Sequence, residues 1–494
     1  MNIYPGENEF SQLAQEFTLI PVYTELAADL DTPISFYYKL VGDQAGFILE
    51  SVETGKTFGR YSFIGAEPFA TFTCYKTKTN VVENDPCPKE YILPGTPKEV
   101  LQSYLNNFKV PSLPGLPPFM GGAVGYFAYE SVATFERVRG LEVDDNQILS
   151  QLLFCRILVV MDHLTHVARL VYLATIKPGE DSAIVYQKAC TELEAVKAKL
   201  QQNTKLVESE SEAEFQNIVG QQPAVANDDY GKIYMDLVEK AKEYIKAGDI
   251  FQVVLSQPFC RKLNQPPFAI YRSLRRLNPS PYLFYINFGQ EKIVGASPEM
   301  LVKVENKKVY TCPIAGTRPR QKDEAENQRL AEEMACDAKE VAEHAMLVDL
   351  GRNDIGRVSI PGTVKVDQLM TVEHFSHVMH MVSHVSGTLK EGLTALDVLA
   401  ACFPAGTLSG APKVRAMEII AELEQNVRGF YGGAVGYIDY RGNMNTCIAI
   451  RTLFIDGDAV SIRTGAGIVA DSVPETEYQE VLAKGKILFQ VMGE

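Results

Sequence analysis

The sequence predicts an α+β fold of two lobes, with mostly antiparallel β-sheets packed together and flanked by helices. Short β-branched runs alternate irregularly with long helical segments, which is typical of α+β rather than regular βαβ proteins. At 494 residues, the chain also exceeds one typical hydrophobic core. A polar stretch near 205–228 separates a predicted N-terminal regulatory or supporting lobe (1–215) from a predicted C-terminal catalytic lobe (228–494).

Composition narrows the class of protein. With 46% hydrophobic and 22% charged residues, the chain resembles an ordinary globular protein. It contains no apolar run of roughly 18 residues, and its start lacks the features of a signal peptide, so a cytoplasmic location is expected. A net charge of −15 disfavours a nucleic-acid surface, and the nine cysteines form no CxxC pair. The chain contains no tryptophan.

Four β-branched runs predict strands in the C-terminal half. They are FQVVLSQ (251–257), PYLFYINF (281–288), KIVGASPEMLVKV (292–304) and CIAIRTLFI (447–455). Each is bounded by polar, Gly or Pro residues, as strands commonly are. We expect these runs to form adjacent strands of antiparallel sheet.

Three segments predict helices. One begins near Asp229 and ends before Gly248, and a second covers 322–350. A third begins near residue 474, where Ser472 and Glu475 form a capping-box pattern with Pro474 in the first turn.

One sequence pattern occurs twice, as GGAVGYFAY (121–129) and GGAVGYIDY (432–440). A Gly-Gly pair that leads into a strand can recur for packing reasons alone. The alternative is one equivalent strand in each lobe, which would indicate an ancient duplication. Neither copy fits a phosphate-binding glycine loop.

Two Glu-x-x-Glu doublets, Glu340/Glu343 and Glu477/Glu480, each lie in a predicted helix. Residues three apart share a helix face, so each doublet directs two carboxylates the same way. Four convergent carboxylates need a cation, because like charges and burial both disfavour ionisation. With oxygen ligands alone, a hard ion such as Mg²⁺ is expected. Either doublet by itself is equally typical of a solvated acidic helix face.

Longer motifs accompany the doublets and together resemble the chorismate-utilising enzymes. The motifs are CPIAGTRPR (312–320), LVDLGRND (347–354), FPAGTLSGAPKVRAM (403–417) and RTGAGIVAD (463–471), with GFILESVETGKTFGRYSFIGA (46–66) as an N-terminal signature. The resemblance is close over roughly 230–490. It implies the two-lobed fold of that family and a small dicarboxylate, chorismate, as substrate.

The resemblance also implies where the substrate binds. One carboxylate would meet Mg²⁺ held by Glu340, Glu343, Glu477 and Glu480. The other would meet Arg451 and backbone N–H groups at Gly465, Ala466 and Gly467, with Tyr437 at a carbonyl and Lys484 beside the metal. An Arg fork suits a carboxylate, and glycine lets the backbone approach closely.

Two positions separate the branches of the family. Members that add water carry a general-base Lys where this chain has Gln252, and an amide cannot deprotonate water. Members that form aminodeoxychorismate carry a nucleophilic Lys where this chain has Ala315. Together, Gln252 and Ala315 favour the anthranilate-forming branch, which uses ammonia.

Three further side chains are expected to act on the substrate. By resemblance, Glu299 is the general acid that assists departure of the ring hydroxyl, and Thr407 hydrogen-bonds near the same group. His380 would orient the ring carboxylate and assist loss of the enolpyruvyl group. For Thr407, an ordinary turn residue is the alternative.

The resemblance predicts two partners besides chorismate. No cysteine lies in a glutaminase GxCxG pattern, so a separate glutamine amidotransferase subunit would supply ammonia. L-tryptophan would bind as feedback inhibitor at residues that share an interlobe location: Glu50, Ser51, Pro281, Tyr282, Leu283, Phe284 and Cys447. Ordinary interlobe packing is the alternative.

Other functions remain open from the sequence alone. One is a relative that stops before pyruvate loss and forms aminodeoxyisochorismate, and another is an aminodeoxychorismate synthase. A third is a tryptophan-sensing protein without catalytic activity. The intact acidic residues, Arg451 and Glu299 favour an enzyme over the third possibility.

Overall fold

The computed structural model describes residues 2–51, 59–84, 87–113, 115–202, 228–321, 323–374 and 378–493. The strands are β1 (Leu19–Ala27), β2 (Gly46–Glu50), β3 (Tyr61–Cys74), β4 (Lys78–Glu83), β5 (Lys89–Pro94), β6 (Gly122–Phe127), β7 (Ser150–Asp162), β8 (Val167–Thr175), β9 (Gln252–Lys262), β10 (Tyr282–Asn287), β11 (Glu291–Ser297), β12 (Met300–Glu305), β13 (Lys308–Thr311), β14 (Ile314–Pro319), β15 (Lys365–His374), β16 (Val378–Thr388), β17 (Gly410–Ala411), β18 (Ala434–Asp439), β19 (Met444–Ile448), β20 (Thr452–Asp456) and β21 (Ala459–Ile468).

The helices are α1 (Glu7–Leu13), α2 (Pro33–Leu40), α3 (Pro97–Leu105), α4 (Ser182–Gln201), α5 (Asp228–Ala247), α6 (Pro267–Leu277), α7 (Glu324–Cys336), α8 (Ala338–Val358), α9 (Ala395–Cys402), α10 (Gly406–Ser409), α11 (Lys413–Glu424) and α12 (Pro474–Val491), with a 3₁₀ helix at Tyr129–Thr134. The strands named above pair antiparallel throughout, as in β9 with β21 and β3 with β7. The predicted α+β class is confirmed.

The strand pairing of the N-terminal half recurs in the C-terminal half. In the N-terminal half, β1 pairs with β8, β2 with β3, and β7 with β3, β6 and β8. The corresponding C-terminal pairs are β9 with β21, β10 with β11, β20 with β11 and β21, and β19 with β12 and β18. The shared order favours duplication over coincidence as the origin of the sequence repeat.

The two halves meet through matching strands. Strand β2 pairs with β10, and the repeated GGAVGY segments form β6 and β18, which also pair with each other. Gly125 lies opposite Gly436, and a Cβ on either residue would come within about 2 Å of a neighbouring carbonyl oxygen. The glycines therefore allow close strand contact. The predicted boundary near 205–228 falls mainly outside the described residues, and the division into two lobes stays a prediction.

Three apolar clusters support the sheet. One packs α2, α4, α5, α6 and α12 against the outer strands. Another packs α3, α8 and α9 against the face formed by β12 and β18. The third lies between sheet layers, where Phe47, Tyr126, Phe284 and Tyr437 are buried. Among the helices that the structure describes, none is long and apolar enough to cross a membrane.

Two helix predictions need correction. The segment predicted as one helix at 322–350 divides into α7 and α8 at Asp337, whose carboxylate caps α8 by accepting the N–H groups of Lys339 and Glu340. The predicted Ser472 capping box is absent from α12, where Val473 occupies the N-cap. The Ser472 hydroxyl instead accepts the N–H of Val469.

Two of the predicted strands are interrupted. The run 292–304 divides into β11 and β12 at Pro298–Glu299, and the run 447–455 divides into β19 and β20 around Arg451. These interruptions lie opposite each other, because β11 pairs with β20 and β12 with β19. The N–H of Ile448 donates to the Glu299 carbonyl at 3.0 Å. Glu299 and Arg451 therefore lie where the sheet opens.

Candidate active site

A cavity of about 250 Å³ lies at the interrupted strands. Its walls come from strand ends and loops: Val254, Pro298, Glu299, Ile314, Ala315, Gly316, Thr317, His380, Thr407, Leu408, Tyr431, Ile450, Arg451, Arg463, Thr464, Gly465, Gly467 and Lys484. We call this the catalytic cavity. It brings together most of the residues predicted to bind or act on a substrate.

Glu299 has the properties of a general acid. Burial raises the pKa of its carboxyl to about 7, while Lys484 and Arg451 lower it by smaller amounts. The Thr407 hydroxyl donates to Glu299 Oε1 at 2.7 Å and also lowers this pKa. The acid can therefore hold a proton near neutral pH and release it to a bound group.

Arg451 provides a cation that the protein itself does not neutralise. Its backbone has φ of +52°, a left-handed conformation that is uncommon for arginine. Burial lowers its pKa, and nearby Tyr431, Glu299 and Glu480 oppose that shift. No hydrogen bond or ion pair joins the guanidinium to another described residue. A bound carboxylate would supply the missing partner.

Two glycines on β21 form a backbone wall beside Arg451. A Cβ at Gly465 would lie 2.7 Å from the Tyr431 hydroxyl, and one at Gly467 would lie 2.6 Å from Gln252 Nε2. Ala466, between them, is buried in the opposite direction, within the apolar core. Lys484 donates to the Gly465 carbonyl at 3.0 Å. Glycine at both positions therefore lets the Tyr431 and Gln252 side chains pack directly against the backbone of β21.

His380 lies at the mouth formed by β14. Its Nδ1 is 3.0 Å from the Gly316 carbonyl and 3.1 Å from the Thr317 hydroxyl. Burial lowers the pKa of this histidine. The ring is therefore held in place and favours the neutral form.

The four predicted metal ligands lie on two helices, Glu340 and Glu343 on α8 and Glu477 and Glu480 on α12. Burial raises the pKa of Glu343, and Glu340 and Glu480 raise it further. Burial also raises the pKa of Glu477, again with a contribution from Glu480. The influence of Glu480 on Glu343 is a contact between the two doublets, and the convergence of all four carboxylates stays a prediction.

The carboxylates have protein partners as they stand. Arg318 pairs with Glu340 at 2.6 Å, and Lys484 pairs with Glu480 at 2.6 Å. Within the described ranges, no group of three or more His, Cys, Asp or Glu residues is positioned to hold a metal ion. Glu340 Oε2 is nevertheless buried without a hydrogen-bond partner. This oxygen and the raised pKa of Glu343 fit a hard cation.

Tyr437 differs from its predicted position. It lies on β18 and lines a second cavity, whereas Tyr431, in the turn before β18, lies beside Arg451 and Gly465. The structure brings Tyr431 rather than Tyr437 to the catalytic cavity, because Tyr431 lies in the turn before β18 and Tyr437 within the strand. Gln252 lies behind Gly467 with its Oε1 buried and unpartnered.

The second cavity, of about 520 Å³, brings together the residues predicted to bind tryptophan. These are Glu50, Ser51, Pro281, Tyr282, Leu283, Phe284 and Cys447, which all contribute to its lining. We call it the interlobe cavity, because β2 of one half and β10 of the other form adjacent walls. Its size suits a small ligand.

The Glu50 carboxylate in this cavity is already engaged. The Tyr271 hydroxyl donates to Oε2 at 2.5 Å, and Arg275 donates to both oxygens at 2.9 and 3.1 Å. The predicted role of Glu50, to meet a ligand amino group, would require sharing these partners. The neighbouring Ser51 hydroxyl is buried with no partner in the described part of the chain.

The sequence prediction missed several residues of the catalytic cavity. Gly316 has φ of +65°, and a Cβ there would lie 2.4 Å from Glu340 Oε2. Thr317, Tyr431 and Arg463 also line the cavity. Gly316 and Thr317 lie in the motif CPIAGTRPR, and Arg463 lies in RTGAGIVAD. These motifs could therefore have identified three of the four residues from the sequence.

The fold and cavity together define an α+β protein with a cavity between a buried acid, Glu299, and an arginine, Arg451, that has no ion-pair partner among the described residues. Comparisons with known proteins identify the family. A family model described as chorismate binding enzyme matches residues 45–490. The chain therefore belongs to the chorismate binding enzymes.

Individual relatives agree. Anthranilate synthase component 1 of Acetivibrio thermocellus is 44% identical over 492 residues, covering 99% of both chains. The protein of the same name from Neisseria gonorrhoeae is 44% identical, covering 96% of this chain and 95% of that one. The crystal structure of anthranilate synthase component I from Streptococcus pneumoniae TIGR4 has a TM-score of 0.72 at 33% identity, covering 94% and 98%. The prediction of an enzyme of the anthranilate synthase class is confirmed.

Proposed function

We propose that the protein converts chorismate and ammonia to anthranilate and pyruvate with release of water, in a Mg²⁺-dependent reaction. This reaction would be the first committed step of tryptophan biosynthesis. The names of the close relatives support the conversion of chorismate to anthranilate. The observation that carries the residue-level proposal is the buried Glu299 acid facing the unpaired Arg451 across the catalytic cavity.

Each side chain has a role that follows from its environment. Arg451 binds one substrate carboxylate, with the N–H groups at Gly465 and Gly467 beside it. Glu299 gives its proton to the leaving ring hydroxyl as ammonia attacks, and Thr407 holds the carboxyl in position. The neutral His380 is placed to orient the ring and assist loss of the enolpyruvyl group.

The residues at two positions support ammonia as the nucleophile that attacks the ring. Ala315 lines the cavity and offers no group for covalent attack. Gln252 packs behind Gly467 and cannot serve as a base. An aminodeoxychorismate synthase and a water-adding enzyme are both disfavoured on these grounds.

Glu340, Glu343, Glu477 and Glu480 would hold Mg²⁺ at the edge of the cavity. The bound ion would supply positive charge to the second substrate carboxylate. The partner contacts of Arg318 with Glu340 and of Lys484 with Glu480 would then have to loosen.

Product analysis tests the proposed reaction. Purified protein with chorismate, MgCl₂ and ammonium should form anthranilate and pyruvate in equal amounts. Amination without pyruvate would instead identify an aminodeoxyisochorismate-forming enzyme, and absence of any turnover would favour a non-catalytic tryptophan sensor.

A separate glutamine amidotransferase subunit is the proposed source of ammonia in the cell, and we propose a cytoplasmic location for both. The relatives' designation as component 1 supports a partner component. Glutamine alone should not replace ammonium in the assay, and addition of the partner subunit should restore glutamine use. Glutamine-dependent turnover by the isolated chain would contradict this proposal.

We further propose that L-tryptophan binds in the interlobe cavity as feedback inhibitor. The unpartnered Ser51 hydroxyl and the segment 281–284 support this site. The cavity adjoins the catalytic cavity through shared strands: Met300 lines the former and the adjacent Glu299 the latter. A ligand that shifts Met300 would therefore displace the acid.

Ser51→Phe tests the regulatory site. The larger ring should fill the space beside Ser51, so inhibition by tryptophan should weaken by at least tenfold while the uninhibited rate is retained. Leu164→Phe, at an exposed position outside the cavity, serves as a surface control. Unchanged inhibition in Ser51→Phe would remove Ser51 from the binding site.

A further inference from the structure

A third cavity, of about 420 Å³, has no role in the proposed reaction. Its walls are largely aromatic and aliphatic, and include Tyr126, Phe259, Phe430 and Phe454. Tyr126 occupies the position in the first GGAVGY repeat that Tyr437 occupies in the second. Each copy of the repeat therefore contributes its tyrosine to one of the two larger cavities.

Glu291 lines this third cavity, and it and the neighbouring Gln151 each have a side-chain oxygen without a donor among the described residues. Glu291 Oε2 is buried without a partner, and so is Gln151 Oε1. The Gln151 side chain hydrogen-bonds to the Glu291 carboxylate, and Gln151 lies directly opposite Tyr126 in the sheet. Gln151 is only 7% exposed. Buried acceptors in this state are costly, so a missing donor is the simplest explanation.

The basic residues around the cavity are already engaged elsewhere. Arg463 donates to Ser256 at 2.8 Å and to Glu424 at 2.8 Å. Arg428 pairs with the same Glu424 at 2.6 Å. These arginines are therefore satisfied by other partners and do not neutralise Glu291.

The Glu291 carboxylate opposes an anionic ligand, because the two arginines that line the cavity are already paired with Glu424. Burial raises the pKa of Glu291, and Asp456 raises it further. Lys292, the next residue, turns away and donates to the Gly289 carbonyl at 2.5 Å. A cation at Glu291 would restore the balance of charge that the protein side chains leave open.

We propose that this cavity binds a small organic cation consisting of a primary ammonium group on an apolar, ring-sized body. The ammonium donates to Glu291 Oε2 in a charge-assisted hydrogen bond, while the Gln151 side chain, which does not line the cavity, holds the same carboxylate in position. The apolar body packs among Phe259, Phe430 and Phe454, where aromatic faces also attract positive charge. A volume of about 420 Å³ is within the range of small-molecule sites.

Calorimetric titration of the full chain can test the ligand class. The probes are 2-phenylethylammonium chloride, the neutral 2-phenylethanol and the anionic 3-phenylpropionate. The ammonium should bind at least tenfold more tightly than the alcohol, and the carboxylate should not bind. Equal binding of ammonium and alcohol, or no ammonium binding at millimolar concentration, would overturn the proposal.

Variants locate the bound probe. Glu291→Gln keeps the side-chain shape and removes the charge, so it should weaken binding of 2-phenylethylammonium by at least tenfold. Asp456→Asn removes a neighbouring charge outside the cavity lining and should leave the affinity within about threefold. Undiminished binding by Glu291→Gln would place the probe elsewhere and overturn the proposal.

A second variant, Ile148→Trp, tests the same site independently in case Glu291→Gln does not fold. Ile148 lines the cavity and is only partly buried, so Ile148→Trp should narrow the space without disturbing the deep core. It should also weaken binding by at least tenfold, with an unchanged thermal unfolding midpoint. Full affinity in a folded Ile148→Trp variant would contradict binding in this cavity.

Discussion

The central strand pair of the N-terminal half is continuous, whereas its counterpart in the C-terminal half is interrupted. Strands β3 and β7 pair from Tyr61 opposite Asp162 to Cys74 opposite Ser150, with one irregularity between Pro68 and Ala70. The corresponding C-terminal ladder divides into β11 with β20 and β12 with β19. The two halves share a topology and differ at this point.

Similar residue types lie at or beside the irregular positions of both halves. Glu67 and Arg156 lie directly beside the irregularity of β3 and β7, whereas Glu299 and Arg451 lie at the C-terminal interruption itself. Glu67 has φ of +53°, and burial raises its pKa. The adjacent helix α4 supplies Glu192 and Lys199, which influence that pKa, as α12 supplies Glu480 and Lys484 near Arg451 and Glu299.

The arginines differ in what they contact. Arg156 lies over the ring of Phe69 at 4.8 Å and donates to the Leu173 carbonyl at 3.3 Å. Arg451 has no such partner in the described chain and lines the catalytic cavity. An acid and an arginine in equivalent places are therefore insufficient for a site. The strand interruption leaves the second pair open to a ligand.

The two halves should differ most in how the rate of chorismate turnover responds when the buried acid of each half, Glu299 or Glu67, is replaced. Glu299→Gln should lower turnover of chorismate about a thousandfold, because the amide cannot donate the required proton. Glu67→Gln should retain the wild-type rate. Anthranilate fluorescence measures the turnover rate of both variants. A comparable loss of rate in Glu67→Gln would contradict the claim that only the acid of the C-terminal half takes part in the reaction.

The next comparison is between two acidic residues at corresponding helices, Glu480 on α12 and Glu192 on α4. Glu480→Gln should lower turnover about a hundredfold or more and raise the Mg²⁺ concentration needed for half-maximal rate. Its counterpart Glu192→Gln on α4 should leave both quantities unchanged. Magnesium titration of the steady-state rate tests the metal assignment, which Mg²⁺-independent activity in Glu480→Gln would contradict.

Substitution of the two arginines should affect different properties: Arg451 substrate binding, and Arg156 the stability of the fold. Arg451→Gln should raise KM for chorismate about 10-fold to 100-fold, since a charge-assisted hydrogen bond to a carboxylate is lost. Arg156→Gln should leave KM unchanged and lower the free energy of unfolding by about 1 kcal/mol through lost ring and carbonyl contacts. Kinetics and urea unfolding of both variants check this, and an unchanged KM in Arg451→Gln would exclude its proposed role.

A smaller effect distinguishes the two tyrosines of the repeat region. Tyr431→Phe should raise KM for chorismate by about threefold to tenfold, because its hydroxyl lies beside Gly465 in the catalytic cavity. Tyr437→Phe should leave KM unchanged, since its side chain lines the interlobe cavity. The reverse result would restore the sequence-based choice of Tyr437.

Much of this comparison was accessible from the sequence. The repeat predicted equivalent strands, and the motifs predicted Glu299, Thr407 and Arg451, which the structure places in one cavity. Periodicity could not show that the runs 292–304 and 447–455 divide, because strand propensity says little about where tertiary structure interrupts a ladder. The sequence also could not show the hydrogen bonds of Glu50 to Tyr271 and Arg275, because these residues lie more than 200 positions away along the chain.

The pH dependence of kcat/KM for chorismate tests the buried acid at the strand interruption most directly. The active form of Glu299 is protonated, so activity should fall as pH rises through an apparent pKa near 7. The Thr407 hydrogen bond lowers this pKa, so Thr407→Val should move the falling limb to higher pH. A limb that is absent between pH 6 and pH 8, or that Thr407→Val leaves in place, would contradict Glu299 as the general acid.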